Sequence, residues 1–212
     1  MIAGDPADWD DFFQQHLIPA VLSLVISTWD RMDKPEQTAH EDDISLQLFC
    51  ALKNSKDRSR HPFLIGYENV EVDTDLMKVT GRKDIVFFPS LNDEDIYFCL
   101  EAKRLNALVS GRRRPLADAY VKEGMQRFVD GKYARYIWHG GMLGYVLDGQ
   151  IANAIKNVET NIQAHAGPLG MTLPGNLLPS SVRPDDPATK ETHHRRVYET
   201  AMFHIHHLFM RR

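Results

Sequence analysis

The segment IYFCLEAKRL (96–105) is apolar on both faces as far as Leu100 and then turns charged. Side chains alternate along a strand, so Tyr97, Cys99, Glu101 and Lys103 share one face while Phe98, Leu100 and Ala102 share the other. A strand with no wet face must lie inside a sheet covered on both sides, which places the chain in the α/β class. The charge at its end needs an account of its own. An unpaired carboxylate among such neighbours costs several kcal/mol, so Glu101 and Lys103 require partners.

The surrounding pattern shows where those partners come from. Helical spacing over residues 8–30 (Phe12, Phe13, Leu17, Val21, Leu24, Val25, Trp29) predicts a packing helix, with a kink at Pro19. A second helix is predicted over 38–54, where Ile44, Leu48 and Leu52 form one stripe headed by Glu41. FLIGYENVEV (63–72) and KDIVFFPS (83–90) read as strands joined by a polar link containing Gly81, and NDED (92–95) reads as a turn into 96–105. These three strands form an antiparallel meander. Helical spacing returns over 116–134, a strand is predicted at 142–149 and a helix at 150–166. Pro168, Pro174, Pro179, Pro184 and Pro187 predict a long irregular connection, and AMFHIHHLFM (201–210) closes the chain as a fifth strand. The 212 residues suit one domain: a packing helix in 1–35, a core in 38–149, and a C-terminal helix, loop and strand in 150–212.

Composition excludes two classes. A chain that is 43% hydrophobic and 25% charged is neither disordered nor a membrane protein, and Leu17 to Ile26 is too short to span a bilayer. That stretch follows Asp5, Asp8, Asp10 and Asp11, where a signal peptide carries basic residues, so a cytoplasmic location is expected. Cys50 and Cys99 lie in apolar periodic segments without a CxxC partner and read as reduced core residues. The net charge of −4 is uneven: residues 1–101 hold 9 Lys and Arg against 20 Asp and Glu, whereas residues 102–135 hold 9 against 3. The basic block begins directly after Glu101 and can supply local positive potential to a polyanion, or simply a solvated helix with a basic loop.

A hairpin through 89–95 brings Asp84 close to Glu101 and Lys103. Two carboxylates make a hard-oxygen site suited to Mg²⁺ or Mn²⁺. A lysine beside them can orient or help deprotonate a water and stabilise charge on a phosphorane-like transition state. The competing reading is a structural ion pair at a strand end.

In this order and context, Asp84 and Glu101-Ala102-Lys103 resemble the PD-(D/E)XK nuclease superfamily, with its restriction-endonuclease-like fold. The resemblance covers roughly 38–149, and FHIHHLF is similar to the late strand of many members. Lys83 stands where the name-giving pattern has Pro. The resemblance implies a central mixed five-stranded sheet, with its meander, flanked by helices. It also implies a metal-dependent endonuclease that hydrolyses phosphodiester bonds, DNA favoured over RNA, with a role in defence against foreign DNA. Asp84 and Glu101 would bind the metal, and Lys103 would position or activate the water. The alternatives are a catalytically silent member acting as a binding or assembly module, and a generic α/β protein whose charged strand end is structural. Self-association or a partner protein would supply specificity.

Members often carry an acid on the first core helix, which implies Glu41 as a further metal and catalytic residue, with Asp42 as fallback. Thr38-Ala-His-Glu41 also fits a capping box, which needs no metal. The helix after the meander carries Lys122, Gln126, Arg127 and Lys132, and in similar families it reaches the scissile phosphate, with Gln126 the specific candidate and Lys122 and Arg127 as nucleic-acid contacts. Arg112, Arg113 and Arg114 before Pro115 read as a phosphate-holding loop or a solubilising one. His204 and His206 share a strand face, but no cysteine or acid sits at a usual zinc spacing, so the histidines read as core or edge residues. Gly140, Gly141 and Gly144 lack the context of a phosphate loop.

Overall fold

The computed structural model describes residues 16–61, 63–73, 77–89, 95–135, 137–172, 174–197 and 201–212. The acids and phenylalanines expected to open the first helix, and residues 92–94 of the NDED turn, lie outside them. Helix α1 is Ile18–Arg31 and α2 is Glu41–Asn54. Pro19 is the second residue of α1, and His16 and Leu17 just before it are wound as a π turn, so the change in winding falls beside the proline that lacks an N–H. Strands β1 (Phe63–Asp73), β2 (Lys78–Pro89) and β3 (Phe98–Leu105) form the antiparallel meander, and Gly81 falls inside β2 instead of in a link. A small ribbon of β4 (Ala107–Val109) and β5 (Arg112–Arg114) follows, so the three arginines lie on a strand.

A helical stretch over 117–129, labelled α3, leads to β6 (His139–Val146), which pairs parallel to β3. Helix α4 (Ile151–His165), the short β7 (Leu178–Pro179), β8 (Thr189–Arg195) and β9 (Met202–Arg211) complete the chain. The sheet has seven strands in the order β1-β2-β3-β6-β9-β8-β7, not five. β1 forms one edge with Leu64, Val70 and Val72 exposed, and the two-residue β7 forms the other.

The missed strands have a physical explanation. The buried residues of β8 are polar, among them Thr189, Glu191, Thr192 and His194, so hydropathy gives no alternation to read. Burial is tolerable because the polar groups satisfy one another. His194 Nδ1 must donate to the Leu169 carbonyl (2.8 Å), so its Nε2 accepts from Thr192 Oγ1 (2.7 Å). Thr192 in turn accepts from His207 Nε2 (2.8 Å), whose Nδ1 accepts from the Tyr120 hydroxyl (2.8 Å). Burial holds His207 well below its usual range and lowers His194 to about 4, which keeps both rings neutral as this chain requires.

Helices cover the two faces. On one, Trp29 of α1 stacks on Tyr145 of β6 (5.3 Å between ring centroids) and Ser45 of α2 bonds its hydroxyl (3.1 Å). On the other, α3 lies over β6 through alternating sizes: Tyr120 meets Gly144, Gly124 meets Met142 and Phe128 meets Gly140. Every residue of β3 except Arg104 is buried, as its two apolar faces demand. Cys99 is buried as expected, but Cys50 is exposed, on the outer side of α2; both are free. No helix among the described residues is long and apolar enough to cross a membrane.

Candidate active site

β2 and β3 pair from Phe87/Phe98 to Ile85/Leu100, then part. Beyond Leu100 the backbone donors of β3 on that side need acceptors. Two acids supply them: Asp84 Oδ2 accepts from the Ala102 N–H (2.6 Å) and Glu41 Oε2 from the Arg104 N–H (2.9 Å). The parting of two strands therefore draws carboxylates from β2 and from the start of α2 to one edge of β3.

Between them stands Lys103. Its Nζ donates to Glu41 Oε1 (2.9 Å), Glu101 Oε1 (2.9 Å) and the Ala102 carbonyl (2.7 Å), which uses all three N–H groups. Burial alone would lower its pKa, but Glu101 and Glu41 carry it above the ordinary lysine range. Lys103 is thus held as an ammonium between two carboxylates.

Glu101 is fully buried and lopsided. Its Oε1 takes both Lys103 and Arg127 Nη1 (2.6 Å), while Oε2 is buried without any hydrogen-bond partner. Burial raises its pKa in spite of the two cations. Asp84 is pushed up to about 7, first by burial and then by the charge of Glu101. Arg127 is braced from behind: its Nη1 also donates to the Tyr133 hydroxyl (3.1 Å), which donates to the Arg82 carbonyl (2.5 Å).

The structure brings Asp84, Glu101, Lys103 and Glu41 together. The capping box does not form: the residue before α2 is His40, no side chain caps the helix, and both Glu41 oxygens are spent on Lys103 and Arg104. Asp42 offers Tyr67 only its carbonyl oxygen (3.2 Å). Gln126 is turned away, donating to Asp130 Oδ1 (2.7 Å) and the Pro168 carbonyl (3.3 Å), and Lys122 pairs with Asp118 at the surface (2.8 Å). Arg127 takes the place expected of Gln126. Arg127 lies three residues after Gly124, which faces β6, and so shares its side of the helix, whereas Gln126 lies two after it and points away. Gly124, where an added Cβ would lie 2.4 Å from Met142 Cε, is the one sequence signal that the helix comes close here. Arg112, Arg113 and Arg114 are exposed on β5, with Arg113 Nη1 held by Asp148 Oδ2 (2.5 Å).

Two clefts of about 450 and 370 Å³ lie elsewhere, one lined by Arg31, Lys56 and Asp57 and one by Trp29, Pro187 and Met210. The carboxylates line neither cleft: Glu101 and Lys103 are buried, and Glu41 is a partly exposed member of the cluster. The chain matches no protein-family model, no curated protein and no solved structure. Fold and site together define an α/β protein with a mixed seven-stranded sheet and a buried acid–lysine–arginine cluster where two strands part.

Proposed function

We propose that this chain is a metal-dependent nuclease of the PD-(D/E)XK kind, hydrolysing phosphodiester bonds, with DNA favoured as substrate. One observation carries the reading: the buried, unpartnered Glu101 Oε2 beside the electrostatically coupled Asp84. A buried carboxylate whose charge raises the proton affinity of a neighbouring one suits a hard divalent cation, which relieves that repulsion and gives the orphan oxygen a partner. Asp84 and Glu101 would hold Mg²⁺ or Mn²⁺, which would polarise a phosphoryl oxygen and acidify a bound water.

The chain's own residues do the rest. Lys103 holds Glu101 Oε1 and Glu41 in place as a cation and supports negative charge developing on the phosphoryl group. Arg127, half-buried and anchored through one nitrogen, has donors left to meet a phosphate. Glu41 acts through Lys103 instead of completing a three-carboxylate cage.

A second reading has its own support. Lys103 spends every N–H within the protein, as a purely structural brace would, and this favours a silent binding or assembly module. Incubating the purified protein with labelled DNA and with labelled RNA, in Mg²⁺, Mn²⁺ or EDTA, separates the two. Metal-dependent cleavage that falls by about 100-fold or more in an identically purified Asp84→Asn variant supports the nuclease. Binding without cleavage in every metal supports the module.

A further inference from the structure

The face of the sheet turned away from Glu101 carries a different set of side chains. Glu101, Met142 and His207 occupy matching positions on adjacent strands and share one face, so His204 and His206 project from the other. Across β8, Glu191 stands opposite His206 and His193 opposite His204, while His139 of β6 stands opposite His204 from the third strand. Among the described residues, this is the one place where three metal-capable side chains bring a ligand atom each within 4.8 Å of one another: Glu191, His193 and His204.

We propose that Glu191, His193 and His204 form a transition-metal site that takes Zn²⁺. The ligand chemistry is two imidazoles and one carboxylate, a set that selects Zn²⁺ over Mg²⁺ or Ca²⁺. The carboxylate is already oriented. Its Oε2 accepts from the backbone N–H (2.7 Å) and hydroxyl (2.6 Å) of Ser181, which leaves Oε1 facing His193 Nε2 at 2.9 Å. A cation takes the place of the hydrogen between Glu191 Oε1 and His193 Nε2, and the neutral imidazole then carries its proton on Nδ1. His193 is about one-third exposed and opens a path from water, so the fourth coordination position faces solvent. The inner wall is polar too: His139 Nδ1 and His206 Nε2 are 3.2 Å apart, and the fully buried His206 has an Nδ1 without a hydrogen-bond partner directly across the strand pair from Glu191. The sequence hid this site because its acid comes from a neighbouring strand 13 positions before His204 and not from a local spacing.

The site is independent of the carboxylate pair under the nuclease reading, and the experiment keeps them apart. Untagged full-length protein, stripped with EDTA and dialysed, is titrated with Zn²⁺ by calorimetry and with Co²⁺ by visible absorption. The expected result is one equivalent of Zn²⁺, a rise in melting temperature on binding, and cobalt bands of low coordination number. His193→Ala and His204→Ala should each weaken binding by about 10-fold or more, while Asp84→Asn leaves it unchanged. His193 is partly exposed, so its variant keeps the fold and serves as the reference should His204→Ala unfold. Failure to bind one equivalent, or binding unaltered in His193→Ala, or binding lost equally in Asp84→Asn, overturns the site.

Discussion

Asp84 is held near a neutral pKa by burial and by the charge of Glu101, and that has a thermodynamic sign. A carboxyl whose folded pKa lies above its unfolded value binds its proton more tightly when folded. Folding stability therefore falls as pH rises from about 4 to about 7, and the full penalty remains above that window. Asparagine keeps an acceptor for the Ala102 N–H but carries no charge. Asp84→Asn should accordingly be more stable than the parent protein at pH 8 in EDTA, on the order of 2 kcal/mol after allowance for partial solvation, with the difference vanishing near pH 4. Thermal melts of both proteins across that range check it. A gap that widens toward acid would mean Asp84 is stabilised by its surroundings and is no strained metal ligand. The same residue shows how much of the site was legible: Asp84, Glu101 and Lys103 followed from strand alternation and a hairpin. The lysine's proton state did not, because it depends on Glu41 reaching across 62 positions of sequence.

At the scale of elements, α3 and β6 fit by exchange of volume. Phe128 fills the space above Gly140, where an added Cβ would fall 2.5 Å from its ring, and the ring is itself stacked on Phe203. Gly140→Ala should therefore lose about 1–3 kcal/mol by denaturant titration, and should lower cleavage in folded protein as well, since Phe128 adjoins Arg127. Loss of stability with cleavage per folded molecule unchanged would detach Arg127 from the chemistry. This interface also marks the limits of pattern reading. β1 to β3, β6, α4 and β9 carry the apolar periodicity of their class and were found within a few residues. The resemblance favours Gln126, whereas Arg127, three residues after the β6-facing Gly124, is the one that meets Glu101, and β8 is hidden because hydrogen bonds and not apolar burial hold it in the sheet.

At the scale of the molecule, the basic ribbon leaves β3 only a few residues after Lys103 and displays Arg112 and Arg114 to solvent, with Arg113 drawn to Asp148. Under the nuclease reading, Arg112 and Arg114 are the ribbon's two cations left to meet a phosphate backbone. Replacing all three by alanine should weaken DNA binding at every sequence and reduce the slope of log affinity against log salt by about 2 rather than 3, read from fluorescence anisotropy at several ionic strengths. An unchanged slope returns the ribbon to a solubilising role.

The two ends of the sheet differ in what they can join. β1 offers eleven residues of edge, with Leu64, Val70 and Val72 bare, whereas β7 offers two residues, one of them Pro179 with no N–H to give. As a building block the molecule would have a valence of one. Two copies meeting β1 to β1 consume the long edge of both and expose only the blunt ends, so growth stops at a pair. An apolar edge facing a blunt far side would limit edge pairing to two copies and give a fibre nothing to grow on.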